Sequence, residues 1–269
     1  MPHLTVKDGA EIFYKDWGYK EGPAVVFSHG WPLTSDNWEN QMFFLANKGY
    51  RAIAHDRRGH GRSSQSWEGN DIDTWADDLL QLIEYLDLKD VMLVGHSTGG
   101  GEIVRFCGRH GTSRVKKAVI ISGTPPLLVK TEVSPDGVPM EVFDGFRTAM
   151  LKDRAQFFLD VPTGPFFGFN RPGAKKSQPP GQKSQGMIDD WFRQGMQSGF
   201  KATYDCLRSW ETDLRGDLEG MDIPVLAGAL ATIKLLKNGR LKIYPGGAHA
   251  LPNTEADGIH EDLLQFLRE

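Results

Sequence analysis

Only two cysteines, Cys107 and Cys206, occur in 269 residues. That is too few for a disulfide framework, and neither stands in a metal-ligand spacing. Both are expected as buried, small apolar side chains. No apolar run is long enough to cross a bilayer, and the N-terminal MPHLTVKDGAEIFYKDWG is not laid out like a signal peptide. Neither sign of charge dominates. The formal net charge of −4 leaves no electrostatic footprint for nucleic acid. These absences exclude a disulfide scaffold, a membrane protein and a nucleic-acid binder. They point to a cytoplasmic protein with no metal, and they leave a homo-oligomer open.

What is present is ordinary for a globular chain: 39% hydrophobic and 25% charged residues, in a length that suits one large domain or a core with an insertion. LTVKDGAEIFYKDWG reads as a hairpin turning at Asp8-Gly9. Short apolar runs then follow at 24–27, 51–54, 91–94 and 118–121, the pattern of strands covered on both faces of a parallel sheet. Helices separate them. Ser35 is the expected N-cap of one that carries Trp38, Met42 and Leu45, and Asn70 or Asp71 opens another with Ile72, Trp75, Leu79, Ile83 and Leu86 at helical spacing. Right-handed strand–helix–strand crossovers in an α/β fold follow.

The rhythm breaks between residues 125 and 205, through Pro125-Pro126, helical pieces such as FDGFRTAMLKDRAQFF, and the polar run RPGAKKSQPPGQKSQG. This stretch is expected to be a cap with a mobile tip, inserted into a core of residues 1–124 and 206–269. The alternation resumes with a strand at 223–226, a helix and a strand at 241–244. Thr254-Glu255-Ala256-Asp257 reads as the capping box of a last helix.

The chemistry concentrates in VMLVGHSTGGG. Gly95-His96-Ser97-Thr98-Gly99 is a Gly-x-Ser-x-Gly between an apolar strand and a helix, where glycines allow a sharp turn that exposes the serine hydroxyl. Ser97 is therefore the candidate nucleophile. The backbone N–H of Thr98, at the helix N-terminus, is one oxyanion donor. The second is expected from the loop Ser28-His29-Gly30-Trp31-Pro32, where Trp31 has an N–H to give and Pro32 has none. His29 reads as a structural hydrogen-bonder, and the Asp56–Gly61 segment as an ion-paired scaffold loop. His249 is the best-placed base, in a Gly-rich loop after the final strand, at the C-terminal edge of the parallel sheet. His96 is expected to line the wall, and His55, His60, His110 and His260 to be surface or packing residues.

HGWP, HDRRGHGRS, GHSTGGG and a late Gly-x-x-His-x-Leu loop, in that order over nearly the whole chain, resemble the α/β-hydrolase superfamily. More narrowly, they are similar to its cofactor-free (non-haem) haloperoxidase/perhydrolase and aryl-esterase branch. The resemblance implies an α/β-hydrolase fold, a mostly parallel, doubly covered sheet with a helical cap insertion. It also implies a serine carboxylesterase acting on small or aryl esters. Such an enzyme can form peracids from a carboxylic acid and hydrogen peroxide, with halide oxidised by the peracid outside the site. Trp31-Pro32 matches the oxyanion-loop form associated with perhydrolase activity.

One element of that pattern is missing. In the proteins this one resembles, the acid that orients the histidine lies after the penultimate strand, in a His-Gly-Asp-x-Asp-x-x-Val-Pro type of loop. Here Ile223-Pro224-Val225-Leu226 runs directly into Ala227-Gly228-Ala229-Leu230, and about a dozen residues are absent relative to the pattern. Asp213, Asp217, Glu219, Asp222, Glu255 and Asp257 offer no convincing replacement, so the triad acid stays unknown. The expectation is an impaired esterase. Its rival is a hydrolase-fold protein that binds a small molecule without turnover.

Overall fold

The computed structural model describes residues 2–164, 167–169 and 185–269. Eight strands form one mixed sheet: β1 (His3–Thr5), β2 (Glu11–Gly18), β3 (Ala24–Ser28), β4 (Arg51–His55), β5 (Val91–His96), β6 (Val115–Ile121), β7 (Val225–Ala227) and β8 (Gly239–Leu241). Their spatial order is β1-β2-β4-β3-β5-β6-β7-β8. The N-terminal hairpin is antiparallel, turns through Gly9 at φ +90°, and joins β4 antiparallel. From β4 to β8 every pairing is parallel.

Helices cover both faces: α1 (Glu39–Ala46), α2 (Ile72–Tyr85), α3 (Thr98–His110), α4 (Met140–Asp160), α5 (Gln185–Gln197), α6 (Phe200–Asp205), α7 (Arg215–Gly220), α8 (Leu230–Ile233), α9 (Leu251–Thr254) and α10 (Ala256–Arg268). The two-residue period of a strand sorts the core into two layers. Val26 and Leu93 pack with Trp75 and Leu79 of α2 and Ile103 of α3. Val25, Phe27 and Val94 face the other way, onto Met42 of α1 and Ile259 and Leu263 of α10. Both cysteines are free and buried.

Local details depart from expectation at element ends. Asp71 does cap α2, accepting the N–H of Thr74 at 3.0 Å. Ahead of α1, Thr34 rather than Ser35 caps a short 3₁₀ turn, because Ser35 spends its N–H and hydroxyl on Asp56 Oδ1 at 2.8 and 2.6 Å. The capping box at Thr254 does not form. Leu251–Thr254 make a turn of their own, and Glu255 takes the N-cap of α10 without a side-chain cap bond.

β7 starts two residues later than the apolar run suggests, and β8 starts two residues earlier than its own. Register decides this, since Val225 pairs with Gly239 and Ala227 with Leu241. Pairing ends where β7 gives way to α8. Between β6 and β7 the chain leaves the sheet and builds the cap region, including α4, α5 and α6. The polar run expected as its mobile tip lies outside the described residues, apart from its last two positions. No helix among the described residues is long and apolar enough to cross a membrane.

Candidate active site

Ser97 stands between β5 and α3 at φ +54°, ψ −120°, a left-handed conformation rare for a side-chain-bearing residue. The glycines around it make the turn possible. A Cβ on Gly95 would strike the Gly99 carbonyl, and one on Gly99 would strike the Ser28 carbonyl. The backbone is tied down as well: Ser97 N–H donates to Ile121 O at 3.0 Å, and Thr124 N–H donates to Ser97 O at 3.2 Å. Serine at this position points its hydroxyl away from the sheet, at the positive end of α3.

The loop after β3 presses against this turn. A Cβ on Gly30 would lie 2.9 Å from His96 Nδ1 and 3.1 Å from the Ser97 Cβ. Trp31 and Thr98 therefore flank Ser97, and neither of their backbone N–H groups donates to a protein group among the described residues. His29 behaves as expected. Its Nδ1–H donates to Gly30 O, its Nε2 accepts the Arg57 N–H, both at 2.9 Å, and burial holds its pKa far below 6.5.

His249 arrives from 152 residues away with Nε2 at 2.9 Å from Ser97 Oγ. The ring is half-buried and packs edge-on against Phe167, centroids 5.8 Å apart. Burial, reinforced by the neighbouring His96, lowers its pKa to about 3, so at neutral pH the imidazole is uncharged and able to accept a proton. A serine at a strained elbow, a neutral imidazole in contact with it, and two undonated amides beside it make a site equipped for acyl transfer.

A model of the α/β-hydrolase fold matches residues 23–249. The chain belongs to the α/β-hydrolase superfamily. Within it, this α/β-hydrolase falls in the non-haem haloperoxidase/perhydrolase branch and is a serine hydrolase of that family. It is 50% identical to a non-haem chloroperoxidase of Burkholderia pyrrocinia and 48% identical to a bifunctional esterase/perhydrolase of Acinetobacter calcoaceticus, with 100% of each chain covered in both cases. Among solved structures, a bromoperoxidase from Bacillus anthracis superposes with a TM-score of 0.88 at 36% identity, covering 97% of this chain and 96% of that one. The two sequence alignments run to 284 and 282 positions against 269 residues here. Each relative therefore carries residues with no counterpart in this hydrolase.

The C-terminal end of β7 bears on that shortage. No aspartate or glutamate occurs between Asp222 and Glu255, and α8 opens three residues after β7 ends. A cavity of about 30 Å³ lies in this corner, lined by Ser122, Leu226, Gly228, Lys242, Tyr244 and Asp262 among others. Asp262 is engaged there by Lys242 Nζ at 2.7 Å and by the Tyr244 hydroxyl. Three further carboxylates are placed elsewhere. Asp222 accepts from Thr112 Oγ1 at 2.6 Å, Asp217 from Arg105 at 3.0 Å, and Asp213 from Arg215. Among the described residues, no group of three or more His, Cys, Asp or Glu is placed to hold a metal ion.

Three features of the hydrolase site escape sequence reasoning. His96 does not simply line a wall. It is fully buried, its pKa is lowered to about 4 by burial, and its Nε2–H donates to the His249 carbonyl at 2.9 Å, anchoring the loop of His249 to the elbow. Trp210, from a 3₁₀ turn after the cap, donates Nε1–H to Thr98 Oγ1 at 2.9 Å and meets the Trp31 ring edge-on at 5.3 Å. Nothing local in its sequence marks it. Glu102, fully buried in α3, is the third. Its signal was a lone carboxylate among the glycines and apolar residues of GGGEIV.

Proposed function

We propose that Ser97 is the nucleophile and His249 the general base of an esterase, and that the Trp31 and Thr98 amides bind the oxyanion. The contact between Ser97 Oγ and His249 Nε2 at 2.9 Å carries this reading. Ser97 Oγ attacks the ester carbonyl as its proton passes to Nε2, and the carbonyl oxygen takes the negative charge between the two amides. Collapse breaks the bond to the alcohol, which leaves with the proton from the imidazolium. Water, giving its proton to His249, then attacks the acyl carbon, and the acid is released as the imidazolium returns the proton to Ser97 Oγ. Hydrogen peroxide in place of water releases a peracid, the side activity that Trp31-Pro32 supports.

Small or aryl esters suit the surroundings. Residues 125–205 form the cap in this reading, and α4 brings Phe143 onto Trp210 at 5.6 Å and Phe158 onto Trp31 at 5.7 Å. Aromatic side chains packed this closely around Trp31 favour a compact apolar acyl group or aryl leaving group over a long flexible one. Carboxylic acids enter as substrates of the peroxide branch.

A fluorophosphonate probe should label Ser97, read by peptide mass. The absence of a carboxylate between Asp222 and Glu255 favours one rival, a binder without turnover, and folded protein that resists the probe would establish the rival. Bromination of monochlorodimedone in acetate with peroxide and bromide separates the two activities, since a pure esterase produces none.

A further inference from the structure

We propose that Glu102 and Arg57 are positioning residues for the oxyanion hole, joining the helix that presents one donor to the loop that presents the other. The proposal rests on the reading of Trp31 and Thr98 as those donors. They lie on separate pieces of chain, Thr98 at the first position of α3 and Trp31 in the loop after β3. Donors in an oxyanion hole act only when held at the right spacing before the charge develops.

A continuous set of bonds fixes that spacing. Glu102 lies one turn along α3 from Thr98, and its Oε2 accepts from Arg57 Nε at 2.8 Å. Arg57 then grips the oxyanion loop twice: Nη2 donates to His29 O at 2.6 Å, and the Arg57 N–H donates to His29 Nε2 at 2.9 Å. His29 passes the restraint on through Nδ1–H to Gly30 O, the residue before Trp31. On its other oxygen Glu102 bonds His55 Nε2 at 2.9 Å. The Arg57 guanidinium also lies over the Trp75 ring, 4.7 Å from its centroid.

Glu102, Arg57 and His29 are all at most 1% exposed. Burial pushes the Glu102 carboxyl upward, but Arg57 and His55 outweigh it and hold its pKa below the usual range. A buried ion pair often stabilises a fold no better than well-packed apolar side chains of similar volume. What an apolar side chain at position 57 could not do is hold the His29 carbonyl at a fixed point; the ring is held by the backbone N–H whatever the side chain. The placement of this pair between the two donors gives its charges a use that fold stability alone does not require.

Glu102→Gln, Arg57→Lys and the double variant Glu102→Met with Arg57→Met test this. The double variant leaves no unpaired buried charge and is expected to fold. Turnover of p-nitrophenyl acetate is measured per fluorophosphonate-reactive site, together with the Ki of benzeneboronic acid, whose adduct on serine is tetrahedral. Turnover per site should fall about 10- to 100-fold with KM within about twofold, and the boronate Ki should rise in step. A merely structural role would reduce the number of reactive sites and leave rate and Ki per site alone. Unchanged values per site, in the glutamine variant or in the double variant, would overturn the proposal. Failure of the wild-type protein to label at Ser97 would instead overturn the serine-nucleophile reading, and the proposal with it.

Discussion

β5 and β7 lie two places apart in one sheet and end in opposite ways. β5 has six residues, all buried, and breaks into a glycine-framed elbow whose backbone groups are bonded to the neighbouring strand. β7 has three and passes through Gly228-Ala229 into a four-residue helix. Beyond it, β8 is half-buried to exposed throughout, and Leu230, Leu241 and Ile243 are 59%, 40% and 50% exposed. Burial on both faces gives the centre one backbone solution and lets it carry strain at Ser97. The thin edge, short and only partly covered, carries no such fixed turn. The catalytic histidine candidate belongs to the edge by chain connectivity but to the centre by contact, through Ser97 and His96.

Changes at either region should separate the two. The largest effect is expected at the centre. Ser97→Ala should bring p-nitrophenyl acetate hydrolysis down to the buffer rate, a loss of about 10⁶-fold where a triad is intact and smaller in this chain. Residual enzymatic turnover would place the nucleophile elsewhere. Next comes repair of the edge. Replacing Gly228-Ala229 with a loop of the His-Gly-Asp-x-Asp-x-x-Val-Pro type should raise kcat, by up to about 10⁴-fold, the typical worth of the orienting acid. An unchanged kcat in folded protein would show that the edge does not limit turnover.

The pH profile gives a smaller signal that links the regions. With its pKa lowered to about 3, His249 stays neutral well below pH 6.5. The acid limb of kcat/KM should therefore lie below the ordinary imidazole value and move upward in the grafted chain, because a nearby carboxylate favours the charged ring. A limb near 6.5 in the unmodified protein would contradict the burial of that ring. The smallest effects concern stability. Leu93→Ala in β5, where the side chain is fully buried, should cost about 2–5 kcal/mol by urea unfolding, and Leu241→Ala at the edge about 0.5 kcal/mol or less. Equal costs would mean that the edge is packed as tightly as the centre.

Much of the site was legible because its pieces are local. Gly95–Gly99 encodes a strand–turn–helix within five residues, and the loop of His249 follows the last apolar run. The scaffold reading of Asp56–Gly61 also holds, with Arg58 paired to Asp8 and Asp78 and Arg62 to Asp56. Element ends were less legible. The extent of β8 depends on its pairing with β7, not on its own apolar residues, and Thr254 was claimed by a turn that propensity does not announce. Trp210 and Glu102 were illegible for another reason. Each acts on a residue brought to it by the fold, Thr98 in one case and Arg57 in the other.

The sequence by itself determined the alternating architecture, the elbow serine, the late histidine, and the absence of a carboxylate after β7, since each is a pattern within a short window. Tertiary structure alone decided that Ser97 and His249 meet at 2.9 Å, that His96 neutralised by burial anchors the loop of His249, and that a buried Glu102–Arg57 pair joins α3 to the loop after β3. The physical reason is common to all three. Desolvation and hydrogen bonding between distant segments exist only once the sheet has closed water out, and no local preference records them.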